Sequence, residues 1–201
     1  MAVITAGQVK QLREKTGAGM MDCKKALEET AGNIEQAVEY LRKKGAATAA
    51  KRVDKETNQG VVEAYIHAGG RIGSMVELNC ETDFVAKTPD FKQLAHDIAM
   101  QVAAMSPQYI SRDQVKKSTL DKELEIYKSQ AMNEVKTASI AEKVAQGRLE
   151  KFYQEAVLLE QSFIKDSGKT IKDLLDEATA KVGEKISIGR FERYHLGENH
   201  S

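Results

Sequence analysis

Apolar positions in the first 45 residues recur at helical spacing in three short stretches, each with its own punctuation. Ile4-Thr5-Ala6-Gly7-Gln8-Val9 has the form of a capping box: the Thr5 hydroxyl accepts from the Gln8 amide, Gln8 reaches back, and Ile4 is placed to staple against Val9. The first helix therefore starts at Thr5, with Val9 and Leu12 on one face, and ends at the glycine-bearing turn Thr16-Gly17-Ala18-Gly19. Met20, Cys23 and Leu27 form the stripe of a second helix, stopped by Gly32 in the left-handed position. A third runs from its cap at Asn33 to Gly45, with Ile34, Ala37, Val38 and Leu41 on its apolar face. Helices this short do not persist alone in water, so residues 1–45 are expected to pack as a three-helix bundle.

Residues 46–58, alanine-rich and then polar, read as a short helical linker at a domain boundary, with a core domain over 59–201. The period then changes to two. Gly60 to His67 and Arg71 to Cys80 form a hairpin around Gly69-Gly70, and Ile72, Ser74, Val76, Leu78 and Cys80 share the buried face of its second strand. Thr88-Pro89 opens a helix carrying Phe91, Leu94, Ala95, Ile98, Val102 and Met105, which should lie on the sheet. From about 112 to 161 the pattern is that of a helical hairpin, with a second capping box at Ser139-Ile140-Ala141-Glu142. Lys169 to Val182 reads as a further helix, and Lys185 to Leu196, with Ile186, Ile188 and Phe191, as a strand returning to the sheet. The fold class is α+β: a three-helix head, then a small antiparallel sheet packed with helices and a helical hairpin. No internal repeat is present.

Composition narrows the function. A chain of 201 residues can bury a sizeable core, as one domain or as a small module on a larger one. Lys+Arg and Asp+Glu number 30 each and no basic stretch stands out, which argues against direct nucleic-acid binding. The start, MAVITAGQVK, lacks a cationic and an apolar targeting region, and nowhere do 18 apolar residues run together, so a cytosolic protein with no membrane contact is expected. Cys23 and Cys80 are the only cysteines and read as small buried hydrophobes.

The motifs that suggest chemistry are weak. Gly168-Lys169-Thr170 looks like the end of a P-loop, but Phe163 stands where the first glycine is required. Thr16-Gly17-Ala18-Gly19 lacks the strand and the third glycine of a dinucleotide site. Cys80 with His67 or His96 would be a thiol nucleophile and base, yet strand alternation turns Cys80 inward. Glu77, Glu81 and Asp83 match no calcium loop and read as solvated acids. His195 and His200 carry no arrangement. No cofactor and no metal is expected.

Two features resist a purely structural explanation. Met20 and Met21 lie about 100° apart on a helix, so a stripe that buries Met20 leaves Met21 exposed beside Lys24 and Lys25. Thr82-Asp83-Phe84-Val85 joins a strand to a helix; pattern alone favours Phe84 tucked under the hairpin, with Asp83 or Thr82 capping a turn.

Both features fall within segments that resemble the elongation factor Ts family. Thr16-Gly17-Ala18-Gly19-Met20-Met21-Asp22-Cys23-Lys24-Lys25-Ala26-Leu27 is similar to its first signature, and Glu77-Leu78-Asn79-Cys80-Glu81-Thr82-Asp83-Phe84-Val85-Ala86 to its second. The resemblance continues through Ile140-Ala141-Glu142-Lys143-Val144-Ala145-Gln146-Gly147-Arg148 to Arg190-Phe191. It implies a ubiquitin-associated-like head and a non-enzymatic role: guanine-nucleotide exchange on elongation factor Tu, GDP-bound or nucleotide-free. Thr82, Asp83, Phe84 and Val85 would enter the GTPase domain of Tu and dislodge its magnesium ion, while Arg13, Met20, Met21 and Lys24 of the head would dock on a Tu helix. Long family members carry two core subdomains, and this chain has room for one. Tyr65-Ile66-His67 and Arg71-Ile72-Gly73 match the second copy and Thr82 to Val85 the first, so a two-fold homodimer would let one protomer supply the wedge and the other a His67 contact. The site of action implied is a bacterial cytosol or an organelle stroma. A nascent-chain or chaperone-like module is the alternative for the head, but it leaves Thr82 to Val85 without a task.

Overall fold

The structure, a computed structural model, describes residues 4–135 and 137–198, so His200 lies outside the described residues. The head begins as its sequence dictates. α1 (Ala6–Thr16) is capped by Thr5, whose hydroxyl accepts the Gln8 N–H (3.3 Å) while the Gln8 side chain accepts the Thr5 N–H (3.0 Å). α2 spans Met20–Glu29, after which Gly32 takes a left-handed φ of 84° with its N–H on the Leu27 carbonyl (2.8 Å). α3 (Ile34–Ala50) is capped by the Asn33 side chain, which accepts from the Gln36 N–H (3.0 Å). Val9, Leu12, Cys23, Ala26, Leu27 and Ala37 form the head's core, and Ile4, Ile34, Val38 and Leu41 pack against it.

Gly45 does not end the third helix as its pattern suggests. It is buried inside α3, where a Cβ would lie 3.6 Å from the Asp176 carbonyl oxygen and 3.7 Å from Ala180. Those are ordinary van der Waals distances, so the neighbouring helix does not demand a glycine here, and α3 runs through it to Ala50 rather than stopping. One turn earlier, Arg42 pairs with Asp173 on that neighbouring helix.

β1 (Gln59–Ile66) and β2 (Ile72–Cys80) form the hairpin, closed by the His67 N–H on the Ile72 carbonyl (2.8 Å), and β5 (Ile186–His195) joins the far edge, giving the order β1-β2-β5. Ser74, Val76, Leu78 and Cys80 are buried along one face of β2. Between hairpin and β5 come α4 (Asp83–Ala86), α5 (Pro89–Met105), α6 (Lys117–Glu134), α7 (Ala138–Ala156), β3 (Ser162–Phe163), β4 (Asp166–Thr170) and α8 (Ile171–Val182). Phe91, Leu94, Ala95, Ile98 and Val102 of α5 are buried, but Met105 at its last residue is exposed. The Ser74 hydroxyl donates to the Ala99 carbonyl (2.6 Å) and the Arg193 Nε to the Ala103 carbonyl (3.1 Å), fixing the second half of α5 to β2 and β5.

α6 and α7 make the helical hairpin, laced by Arg148–Glu134 (2.7 Å) and Lys128–Glu142 (3.2 Å). The second capping box does not form: α7 starts at Ala138 after Thr137, which leaves Ser139 inside the first turn. The helix expected from Lys169 is shortened because Asp166–Thr170 pairs antiparallel with β3 and α8 begins only at Ile171. Fully buried Gln101 ties this small ribbon to α5, donating to Gln161 and to the Ser162 carbonyl (3.1 Å each) and accepting the Ile164 N–H (3.0 Å).

By internal packing the chain forms two units. One comprises residues 1–63, 76–96 and 173–189, and the other 64–75, 97–172 and 190–201.

Candidate functional site

β2 ends at Cys80, and two residues later the chain turns into a single helical turn. Thr82 is still extended (φ −128°, ψ 156°), and Asp83–Ala86 form α4. The Thr88 hydroxyl accepts the Phe91 N–H (3.3 Å) as α5 begins, and donates to the Val85 carbonyl (2.8 Å). A four-residue helix presents alternate sides to core and solvent. Val85 and Ala86 go inward, while Phe84 points out at 81% exposure. This corrects the expectation that Phe84 tucks under the hairpin; it also shows Val85, the fourth residue of the segment, to be a buried anchor in this chain.

Each polar side chain around the turn has its own partner. The Asp83 carboxylate takes the Lys87 ammonium at 2.5 Å, and that bond first, then the Lys87 charge, holds its pKa below the usual carboxylate value. Thr82 donates its hydroxyl to Glu184 Oε1 (2.7 Å) and its N–H to Glu184 Oε2 (3.0 Å). Glu81 accepts the Lys185 N–H (2.6 Å) and Arg52 Nη1 (2.7 Å); the first of these chiefly lowers its pKa. Glu77 accepts from the Asn79 side chain (3.1 Å). The three acids weighed as an oxygen-ligand cluster thus point to separate partners, and among the described residues no group of carboxylate, histidine and cysteine side chains converges as a metal site. Cys80 is buried and donates to the Thr82 carbonyl (3.1 Å); burial, then the Glu184 charge, raises its thiol pKa. Cys23 is likewise buried, with a thiol pKa raised first by burial.

The head's candidates gather where α1 ends and α2 begins. Arg13 lies in the last turn of α1 and its carbonyl accepts the Gly17 N–H (2.7 Å); Met20 and Met21 open α2, and Lys24 follows one turn on, 3.8 Å from Glu28. Arg13 and Lys24 are exposed. Met21 is 74% exposed as expected, but Met20, expected in the core, is 50% exposed. Met20 is the first residue of its helix, and the face it shares with Cys23 and Leu27 is covered only from Cys23 onward. The result is two adjacent uncovered methionines flanked by cations, a flexible and polarisable surface suited to a protein partner.

Thr82–Val85 and the head residues belong to the first unit, whereas His67 belongs to the second. His67 is exposed at the hairpin turn, its Nδ1 3.1 Å from the Tyr65 hydroxyl. Glu184 escapes any reading of local pattern because its partner lies 102 positions away. Among the described residues no helix is long and apolar enough to cross a membrane.

The family model described as Elongation factor TS matches residues 3–198. Among curated proteins the chain is similar to elongation factor Ts of Moorella thermoacetica, 60% identical over 196 residues covering 98% of this chain and 97% of that protein. It is also similar to elongation factor Ts of Desulforamulus reducens, 57% identical with 98% and 91% covered, and of Carboxydothermus hydrogenoformans, 59% identical with 98% and 90% covered.

Proposed function

The chain belongs to the elongation factor Ts family, and from that premise we propose that it is a guanine-nucleotide exchange factor for elongation factor Tu, catalysing no covalent step of its own. The observation that carries this reading is Phe84. A phenyl ring at 81% exposure, on a turn whose next two residues are buried, is held out where it adds little to the stability of its own chain. Large exposed apolar side chains on braced elements are what a partner's pocket recognises, and bracing lowers the ordering cost of binding.

A P-loop GTPase holds GDP through backbone amides around the phosphates and a bridging magnesium ion. Insertion of Phe84, with the Asp83 carboxylate beside it, into the GTPase domain of Tu displaces that ion and loosens the phosphate grip. The head, residues 1–45, docks on a helix of the same domain through Arg13, Met20, Met21 and Lys24. A two-fold homodimer would let His67 of one protomer and the wedge of the other act on one Tu molecule. The place of action is the compartment that houses Tu, a bacterial cytosol or an organelle stroma.

Magnesium titration tests this route. Lowering free magnesium should speed spontaneous GDP release from Tu and shrink the factor's relative advantage, since part of its work is then already done. An advantage that stays constant across the titration would rule out displacement of the ion.

A further inference from the structure

We propose that Glu184 is the positioning residue for Phe84, acting through Thr82; this rests on the exchange reading above. A four-residue helix cannot hold its own direction, because the first turn of any helix fixes several dihedrals for very few hydrogen bonds. In α4 the internal bonds are long: Ala86 N–H to the Thr82 carbonyl is 3.4 Å and Lys87 N–H to the Asp83 carbonyl 3.2 Å. Its C-terminal side is set by burial of Val85 and Ala86. On its N-terminal side the anchor is Cys80, buried two residues earlier with its thiol donating to the Thr82 carbonyl (3.1 Å), while Thr82, the N-cap residue, does not cap the turn with its own hydroxyl. That hydroxyl and the Thr82 N–H both donate to the Glu184 carboxylate, at 2.7 and 3.0 Å. One carboxylate therefore fixes both the backbone and the side chain of the residue that launches Asp83 and Phe84.

Glu184 is itself held in place. α8 ends at Val182, and Gly183, at φ +74° with its N–H on the Thr179 carbonyl (2.9 Å), turns the chain toward β5. A side chain at that position would be strained by the backbone whatever the space around it. On the other side, the Lys185 N–H donates to Glu81 (2.6 Å) and the Lys185 ammonium to the Val53 and Lys55 carbonyls (2.6 and 2.9 Å). The two dipeptides 81–82 and 184–185 are thus clamped reciprocally, each lending a carboxylate to a backbone N–H of the other. Charge-assisted bonds of this kind are short and directional. Without Glu184 the phenyl ring stays exposed but loses its fixed direction, and the ordering cost moves to the step in which it enters Tu. The head's docking is untouched.

The test uses two readouts on the full chain. GDP release from Tu loaded with a fluorescent GDP is followed against factor concentration for Glu184→Ala, Glu184→Gln and Thr82→Val. Separately, since the chain has no tryptophan, Phe84→Trp supplies a single indole reporter whose fluorescence anisotropy reads the freedom of position 84 without any partner. Glu184→Ala should lower the saturating release rate about tenfold, change the half-saturating concentration less than about threefold, and lower the anisotropy of the indole. Glu184→Gln should restore both readouts, because its amide oxygen accepts the Thr82 N–H and its amide nitrogen donates to the Thr82 hydroxyl. Thr82→Val, which removes only the hydroxyl bond, should fall between. Indole anisotropy unmoved by Glu184→Ala, a Gln variant as impaired as Ala, or a looser indole with an unchanged release rate would each overturn the proposal. If instead Phe84→Ala leaves exchange intact, the wedge reading fails, and the anisotropy alone still judges whether Glu184 fixes position 84.

Discussion

Phe84→Ala separates a side chain kept for a partner from one kept for the fold. A buried phenylalanine covers about 200 Å², and at 81% exposure only about a fifth of that area is withdrawn from water in this chain. At about 25 cal/mol per Å² the truncation costs at most about 1 kcal/mol of stability, equivalent to a Tm shift of about 2–4 °C for a chain of this size. If the exposed part enters an apolar pocket on Tu, the same coefficient gives an upper bound of about 4 kcal/mol, or roughly a thousandfold in rate. Interface hot spots start at about 2 kcal/mol, or roughly thirtyfold. The variant should therefore release GDP from Tu about thirty- to a thousandfold more slowly than the parent at equal concentration, with a melting curve almost superimposed on the parent's. The assay is stopped-flow release of fluorescent GDP beside a thermal melt. A Tm lowered by about 10 °C or more would mean that the ring supports the core after all, and a release rate within threefold of the parent would mean that it does not enter the nucleotide site.

Two other perturbations probe separate parts of the account. Met21→Ala and Arg13→Ala should each weaken complex formation with Tu about tenfold in titration calorimetry and change stability by less than about 1 kcal/mol, since Met21 is 74% exposed and Arg13 lies on the surface; lost stability with unchanged affinity would return Met21 to a packing role. Glu81 has a folded-state pKa below its unfolded value, so its contribution is present above the ordinary carboxylate range and is lost as pH falls through the depressed value. Glu81→Gln should therefore lower stability by about 1–3 kcal/mol at neutral pH, with the gap from the parent closing in acid; a gap independent of pH in thermal melts would show that the charge is not what matters.

What could be read from the sequence was local. The Thr5–Gln8 box, the Asn33 cap and the alternation along β2 involve residues within four positions of one another, and each forms as its pattern requires. The misses fall where an element's actual bounds depart from its local signal. Gly45 looks like a helix stop, but α3 continues through it to Ala50. Ser139 to Glu142 carry a sound capping motif, but the helix starts at Ala138 and overrides it. Asp166–Thr170 pairs with only two residues of β3, too short a strand to leave a period. At the candidate site the same division holds. Exposure of Met21 followed from helical geometry, whereas exposure of Met20 depended on where its neighbours end. For Phe84 the pattern favoured burial and the family resemblance favoured exposure, and the structure sides with exposure. Glu184 was invisible, since no local rule links a residue at the end of α8 to the start of α4.

The most direct measurement of the central claim is turnover of nucleotide on Tu by sub-stoichiometric amounts of the intact chain. With Tu holding labelled GDP and unlabelled GDP in excess, about one molecule of the protein per hundred of Tu should empty the whole Tu population much faster than spontaneous release. Because coupling between the two ligands is reciprocal, the same excess of GDP should dissociate the isolated complex of the chain with Tu. A release rate equal to that of Tu alone, or release that stops at one GDP per molecule of the chain, would contradict an exchange factor.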